Sequence, residues 1–477
     1  MYQKKLYSLL QTLTTSELTQ LGKFLKSPYH NNSKLIIRLF EIIKRHHPKY
    51  ESRSLVREKL FAKLFPSKSY QLKKISDLLS DLNLHTEKFL MIEALEKKTI
   101  IKDALKNQVY EERLLGQHFL QHIKKSTNRL VGKNPKTPTD YYNLMELYSK
   151  QYYHLRTQRL DDNRAEIQLA MESLDRFFIL MKLRLGMELY SRKSMIPEDT
   201  EIWLSEDVIK EAKKYESENP LFYLFPRNMK LLQGHLNREE LLQMIEFIGI
   251  RETNVLDSEI KLTAIFMINK LLQIYYSGEE EFIHILFATY KALLQKESIL
   301  MDYGKMRHST FNNIVVTGCI TKEFKCVKKF MQEYTRRLLD EDKVVTINYC
   351  KSMINFHQEE YESALGILSG VHPIKKTVEL RVSFLRIRIL YELYLKDDSY
   401  STTHDSIISS FLNLLNKASF FTEDRKDLYR RTIAWIKRLK PLKYKKVTKT
   451  QKEQMIDELN TSQLIAKNWI RNKIKEL

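Results

Sequence analysis

The 477-residue chain is poor in glycine (11), proline (10) and cysteine (3), and each scarcity excludes something. Few glycines and prolines leave few tight turns and sheet corners, so helices joined by short polar connections are expected. Cys319, Cys326 and Cys350 are an odd number in a large chain whose start does not read as a secretion signal, which favours reduced, buried thiols over a disulfide framework. That start, MYQKKLYSLLQTLTTSEL, breaks its apolar patch at Ser8, Gln11 and Thr12, too soon for a signal-peptide core. No run of about 18 apolar residues follows. TAIFMINKLLQIYY is interrupted at Asn269 and Lys270, and a soluble cytoplasmic protein is expected.

Signatures of chemistry are also missing. No two glycines are spaced as in GxGxxG, and Gly366 with Gly370 lacks the lysine that completes a phosphate loop. There is no HExxH, CxxC or calcium-loop pattern, and the seven-residue step from Cys319 to Cys326 is not that of a metal knuckle. His46 and His47 are adjacent and point different ways from a helix end, whereas Cys350 and His357 lack a third group to orient them as a nucleophile pair. These absences predict no enzyme activity, no cofactor and no metal.

What is present is charge and helical periodicity. The formal net charge is +21, and it sits at the ends: residues 1–140 hold 27 Lys+Arg against 13 Asp+Glu, and residues 425–477 hold 16 against 5. The stretch between them is close to neutral. Such ends suit an anionic partner, whether nucleic acid, a membrane surface or an acidic protein, and they equally suit plain solubility of exposed helix faces. The candidate contacts are Lys73 and Lys74 in QLKK, and Lys443, Lys445, Lys446 and Lys449 near the C-terminus.

Leu72, Ile75, Leu78, Leu79 and Leu82 recur at helical spacing, as do apolar residues along most of the chain. Ser33 and Ser54 read as helix starts, and Thr450 with Glu453 as a capping box for the last helix. FNNIVVTGCI is the one β-branched patch that could mislead. VGKNPKTPTD reads as a linker. The expected organisation is a basic helical module over 1–130, a linker over 131–140, a helical-repeat solenoid over 141–440, and a basic segment with a C-terminal capping helix over 441–477. In YYNLMELYSKQYYHLRTQR, Tyr141, Met145, Tyr148, Tyr152 and Leu155 form a core stripe, while Tyr142 and Tyr153 beside Arg156 and Arg159 could stack on single-stranded nucleic acid.

Three segments place glutamate directly before an aromatic at the head of an apolar helix: Glu281-Phe282, Glu323-Phe324 and Glu360-Tyr361. Spacings of 42 and 37 residues imply one helix-turn-helix unit per period, and such units bury their apolar faces only by stacking. QEEYESALGIL resembles the tetratricopeptide repeat family across the inter-helix turn and second helix. Tyr361 falls on the turn aromatic, Ala364 on the small packing position and Leu368 on a later apolar one, with Val327 at the small position of the unit headed by Phe324. Lys351 departs from the family's usual leucine, although Ser352 supplies the small residue beside it. The resemblance implies an all-α, irregular helical-repeat solenoid whose groove holds peptides or proteins. LGKFLKSPYHNN and KLFPSKSYQLKKISDLLSDL resemble the start of uncharacterised bacterial helical-repeat proteins, a likeness that names no activity.

Two functions are therefore expected in order: a non-enzymatic scaffold or adaptor with a protein or peptide in the repeat groove, then a nucleic-acid-binding regulator. The second rests on a helix-turn-helix reading of SLVREKLFAKLFPSKSYQLKKISDLLSDL, which resembles the winged-helix region of bacterial activators. Asp77 and Asp81, on the polar face of Lys74, oppose phosphate there.

Overall fold

The computed structural model describes residues 2–154, 164–193, 202–249, 257–277, 279–339, 343–371, 373, 376–419, 421 and 423–477. It is 80% helical, an all-α helical-repeat fold of 23 α-helices among the described residues, with a two-residue hairpin, β1 (Met301–Asp302) and β2 (Lys305–Met306), as its sole sheet. The chain divides into two compact units, one of residues 1–132 and 146–168, the other of residues 133–145 and 169–477. Among the described residues, no helix is long and apolar enough to cross a membrane.

The first unit begins with α1 (Tyr2–Gln11), α2 (Thr15–Lys26), α3 (Lys34–Lys44), α4 (Arg57–Leu64) and the long α5 (Leu72–Glu96). Prolines 28, 48 and 66 separate α2 to α5, as a residue without an N–H must. The four short helices pack on α5, whose Ile75, Leu79, Leu82 and Phe89 close over Leu6, Leu10, Leu21, Leu25, Leu39 and Phe40. Each such side chain contributes roughly 1.5–3 kcal/mol of burial. Leu72, expected in the apolar stripe, lies exposed at the helix start. The hairpin α6 (Thr99–Glu112) and α7 (Gly116–Val131) follows.

Of the expected helix starts, the one at Ser33 holds and those at Ser54 and Thr450 are displaced. Ser33 holds the cap position of α3 but makes no side-chain cap bond; its own N–H instead donates to Asn31 Oδ1 at 2.9 Å. Ser54 lies inside a 3-10 turn that Ser52 caps, and α4 starts only at Arg57. The C-terminal capping box is made by Thr448 with Gln451, not Thr450 with Glu453, because the chain is still extended at Thr448 and already helical from Lys449. Both patterns satisfy the T-x-x-E/Q rule, so the rule alone did not choose between them.

Next come α8 (Pro138–Tyr153), α9 (Arg164–Lys193), α10 (Ser205–Ala212), α11 (Leu221–Gln233), α12 (Arg238–Gly249), α13 (Asp257–Ser277) and α14 (Phe282–Leu294). The array continues with α15 (His308–Ile320), α16 (Phe324–Tyr334), α17 (Lys343–His357), α18 (Tyr361–Ser369), α19 (Lys376–Lys396), α20 (Ser401–Asn416), α21 (Glu423–Leu439), α22 (Lys449–Thr461) and α23 (Lys467–Glu476). The β-branched patch FNNIVVTGCI lies wholly within α15, buried among neighbours, so packing overrides its propensity. In α8 the buried apolar side chains include Tyr141, Leu144 and Leu147, while Met145, Tyr148 and Tyr152 are only half-buried. Leu155, Arg156 and Arg159 lie outside the described residues.

Within the second unit α11 packs on α12, α13 on α14, α15 on α16, α17 on α18 and α19 on α20, and α11 also meets α13, α12 meets α14, α15 meets α17, and α17 meets α19. Contact with both the next helix and the one after it is the mark of stacked helix pairs. The pairs share one turn. Glu323 N–H donates to Gly318 O at 2.9 Å, Glu360 N–H to Asn355 O at 2.9 Å and His235 N–H to Lys230 O at 2.8 Å, each past a left-handed residue, respectively Lys322, Glu359 and Gly234. In the first unit Leu115 N–H reaches Tyr110 O at 2.8 Å past left-handed Leu114. This bond closes the orphan carbonyls of the first helix and aims the second back along it. Residues 441–477 share one core with the helices before them: Leu459, Leu464, Ile470 and Ile474 pack with Leu380, Ile387, Phe411 and Ile436.

Candidate functional site

Helix α19 reads KTVELRVSFLRIRILYELYLK, an apolar run with charges set into it, and charges inside such a run need partners. Ile387 and Tyr391 enter the core with α20 and α21. Glu392, 5% exposed, accepts from Trp469 Nε1 through Oε1 at 2.6 Å and from Lys473 Nζ through Oε2 at 2.8 Å. Trp469 and Lys473 stand four apart on α23, hence on one face of that helix. The Trp469 ring meets Tyr391 edge-on at 5.4 Å. Arg388, one turn before Glu392, sits 4.4 Å from the Phe356 ring of α17 and 5.2 Å from Trp469. Arg471 pairs with Glu280, just before α14. The last helix thus lies against α19 and reaches the head of α14.

The electrostatics follow from burial. Burial pushes Arg388 down to about 10, opposed by Tyr349, Glu392, Tyr275 and Tyr361, and its Nε has no hydrogen-bond partner among the described residues. Burial also drives His357 down to about 3, with Arg388 adding to the shift. For Lys473 burial pulls downward, but the Glu392 and Glu476 carboxylates override it and leave the ammonium above its usual range. What results is an aromatic-lined cationic recess with one buried carboxylate, suited to receiving a helix that carries an aromatic and a cation four residues apart.

Two of the three thiols are buried and one is exposed. Cys350 is buried and donates to Asn312 Oδ1 at 3.1 Å, and burial raises it well above an ordinary thiol. Burial likewise pushes Cys319 up to about 12, while Cys326 is exposed. His46 Nε2 bonds the Ser54 hydroxyl at 3.1 Å and His47 Nε2 the Leu13 carbonyl at 2.9 Å, so both rings tie local structure. Among the described residues no group of three or more His, Cys, Asp or Glu side chains is placed to hold a metal.

The six candidate lysines are not equivalent. Lys443 is held by Asp398 at 2.5 Å and by the Tyr394 carbonyl at 2.8 Å, so its charge is already neutralised. Lys74 lies over the Phe65 ring at 4.4 Å. Lys73, Lys445, Lys446 and Lys449 are exposed and make no ion pair among the described residues. Asp77 and Asp81 are exposed on α5 as well. Of the two candidate stacking tyrosines, Tyr142 packs on Phe177 at 5.4 Å and Tyr153 on Tyr152 at 5.0 Å.

The repeat-signature residues occupy matching places. Phe282, Phe324 and Tyr361 are each the first residue of their helix, with Glu281, Glu323 and Glu360 in the cap position before them. Val327 is buried against Gly318, where an added Cβ would stand 2.3 Å from Val327 Cγ2. Ala364 and Leu368 are fully buried, and the Ser352 hydroxyl donates to the Ala364 carbonyl at 2.9 Å where α17 crosses α18. In the first unit the two segments LGKFLKSPYHNN and ISDLLSDL meet at a shallow cleft of about 440 Å³ lined by His30, Asn31, Asp81, His85 and Lys88.

Arg388, Glu392 and Lys473 were missed from the sequence, although charges embedded in RIRILYELYLK were a usable signal. No family model, curated protein or solved structure matches this chain.

Proposed function

We propose that the protein is a non-enzymatic, tetratricopeptide-like scaffold that holds a helical segment of a protein partner on the face of its repeats where α23 lies. The observation that carries this reading is the seating of α23: Trp469 and Lys473 share the Glu392 carboxylate while Arg388 bridges Trp469 and Phe356. The chain supplies an example of the ligand chemistry this surface accepts, an amphipathic helix with an aromatic anchor and a cation one turn on. A partner helix of that pattern would compete with α23, giving a scaffold whose occupancy depends on displacing its own end.

The direct test adds a labelled peptide of residues 462–477 to full-length protein carrying Trp469→Ala and Lys473→Ala, which weaken the resident helix. Saturable binding in trans, lost when Arg388→Ala is added, supports a helix-receiving surface; no binding removes it. A second reading, a nucleic-acid-binding regulator, rests on the exposed ammonium groups of Lys73, Lys445, Lys446 and Lys449, which make no ion pair among the described residues. Titration with duplex and single-stranded probes decides between them. Binding that survives physiological salt and falls on neutralising those lysines favours the regulator, and binding lost by that salt favours the scaffold.

A further inference from the structure

Helix α6 is built inside out. The side chains it turns toward α7 are polar: Asp103 and Asn107 are buried, Asp103 pairs with Arg129, and Asn107 Oδ1 lies 2.8 Å from His122 Nδ1. Beside exposed Lys106, Gln108 and Glu111 it turns three apolar side chains to solvent, with Ile101 48%, Leu105 47% and Val109 44% exposed. Three apolar residues at steps of four form one continuous stripe, and an aqueous surface gives no reason for it.

The ends of the stripe say what covers it. Lys98 holds the cap position before α6 and Glu112 is its last residue, each seven positions from Leu105, so the order along the helix is Lys98, Ile101, Leu105, Val109, Glu112. It is symmetric about Leu105 in spacing and antisymmetric in charge. Turned end over end about Leu105, it presents Glu112 to Lys98, Val109 to Ile101 and Leu105 to itself. Among the described residues Lys98 makes no ion pair, and Glu112 accepts only the neutral Gln108 amide, at 2.8 Å. A parallel pairing would set lysine on lysine and glutamate on glutamate, which disfavours it.

We infer that α6 is a self-association surface on which a second copy of this chain docks its own α6, antiparallel, with the two-fold axis passing at Leu105. The interface is isologous, and each Lys98 meets the Glu112 of the other copy. A single pair of 14-residue helices covers less than the roughly 1,200–2,000 Å² of a standard stable interface, so the dimer is a weak, concentration-dependent one. This surface belongs to the first unit and the helix-receiving face to the second, and its test does not depend on that reading.

The test is sedentation-equilibrium measurement of full-length protein over a concentration series into the micromolar range, with three sets of variants. Leu105→Glu abolishes association; Lys98→Glu and Glu112→Lys each weaken it roughly tenfold; and the double variant K98E/E112K restores it. Since these positions are exposed, circular dichroism should report unchanged helicity for all of them. As an independent check, Leu105→Cys in a Cys326→Ser background forms an intermolecular disulfide under mild oxidation, because only a two-fold axis at that position brings identical residues together. A monomer at every concentration overturns the inference. So does a dimer indifferent to Leu105→Glu, which would place the contact elsewhere, and so does a double variant no better than the singles.

Discussion

Trp469 Nε1 donates to Glu392 Oε1 at 2.6 Å, joining residues 77 positions apart, and the other oxygen of that carboxylate holds Lys473. Both members of the Glu392–Lys473 pair are nearly closed to solvent, at 5% and 9% side-chain exposure. Removing one partner of such a pair leaves the other charge buried and costs about 3–5 kcal/mol. Glu392→Ala should therefore lower the unfolding free energy by about that amount in urea titration. Glu392→Gln, which keeps an acceptor for the indole, should cost less. Equal losses for the two variants would mean that the carboxylate acts through its charge alone and that the indole bond adds nothing.

The shared turn gives a prediction of opposite sign. Lys322 and Glu359 hold left-handed backbone at φ 62° and 64°, a region in which a side chain costs about 1–2 kcal/mol. Lys322→Gly and Glu359→Gly remove that cost, partly offset by the greater freedom of glycine in the unfolded chain. Each should raise the unfolding free energy by about 0.5–1 kcal/mol. The same change at a right-handed helical position, such as Lys325→Gly, should lower it by a similar amount, so the pair of measurements isolates the turn geometry.

Glycine at the crossing of the repeats acts through space rather than through φ. An added Cβ at Gly318 would lie 2.3 Å from Val327 Cγ2 and 2.9 Å from Phe287 Cε2, both buried side chains. Gly318→Ala should cost about 1–3 kcal/mol by overpacking. Val327→Ala added to it should recover part of that loss, which a double-mutant cycle on melting data would read as coupling between the two sites.

Much of the fold was legible because its signals are local. Helical spacing, the punctuating prolines and the Glu-aromatic pairs at positions 281–282, 323–324 and 360–361 are each contained within a few residues, and the three aromatics do begin helices. Thr448 and Thr450 show the limit of such signals: both head an acceptable capping pattern, and only the dihedral angles at Thr448 select one. The seat of α23 was not legible, because Glu392 and Lys473 are 81 positions apart and neither carries a local mark of the other. Lys443 misled for the same reason. A dense basic run looks free in one dimension, whereas Asp398, 45 positions earlier, takes its charge in three.

The buried histidines set a pH dependence whose sign can be worked out. His404 is fully buried, neither ring nitrogen has a hydrogen-bond partner among the described residues, with Asp405 Oδ1 3.8 Å from Nδ1, and burial brings it down to about 4, with Lys440 adding and Asp405 opposing. An unfolded histidine titrates near 6.5. As pH falls below about 6.5, the unfolded chain takes up a proton that folded His404 refuses, so stability declines by up to about 1.4 kcal/mol per pH unit. That decline ends near pH 4, where the folded ring also protonates. His357, driven down to about 3, carries its own share of the loss further, and His85 and His122, also lowered by burial, add smaller shares. Carboxylates that the fold holds below their usual range, Asp140 and Asp302 among them, act only at the acid end of this range. Between pH 6.5 and 5 the slope therefore belongs mainly to the histidines. Replacing the ring by an uncharged one, His404→Phe, should make unfolding free energies measured in urea across that interval fall less steeply with acid than in the native chain. An identical slope would mean that folded His404 takes up its proton as readily as the unfolded chain, despite its burial.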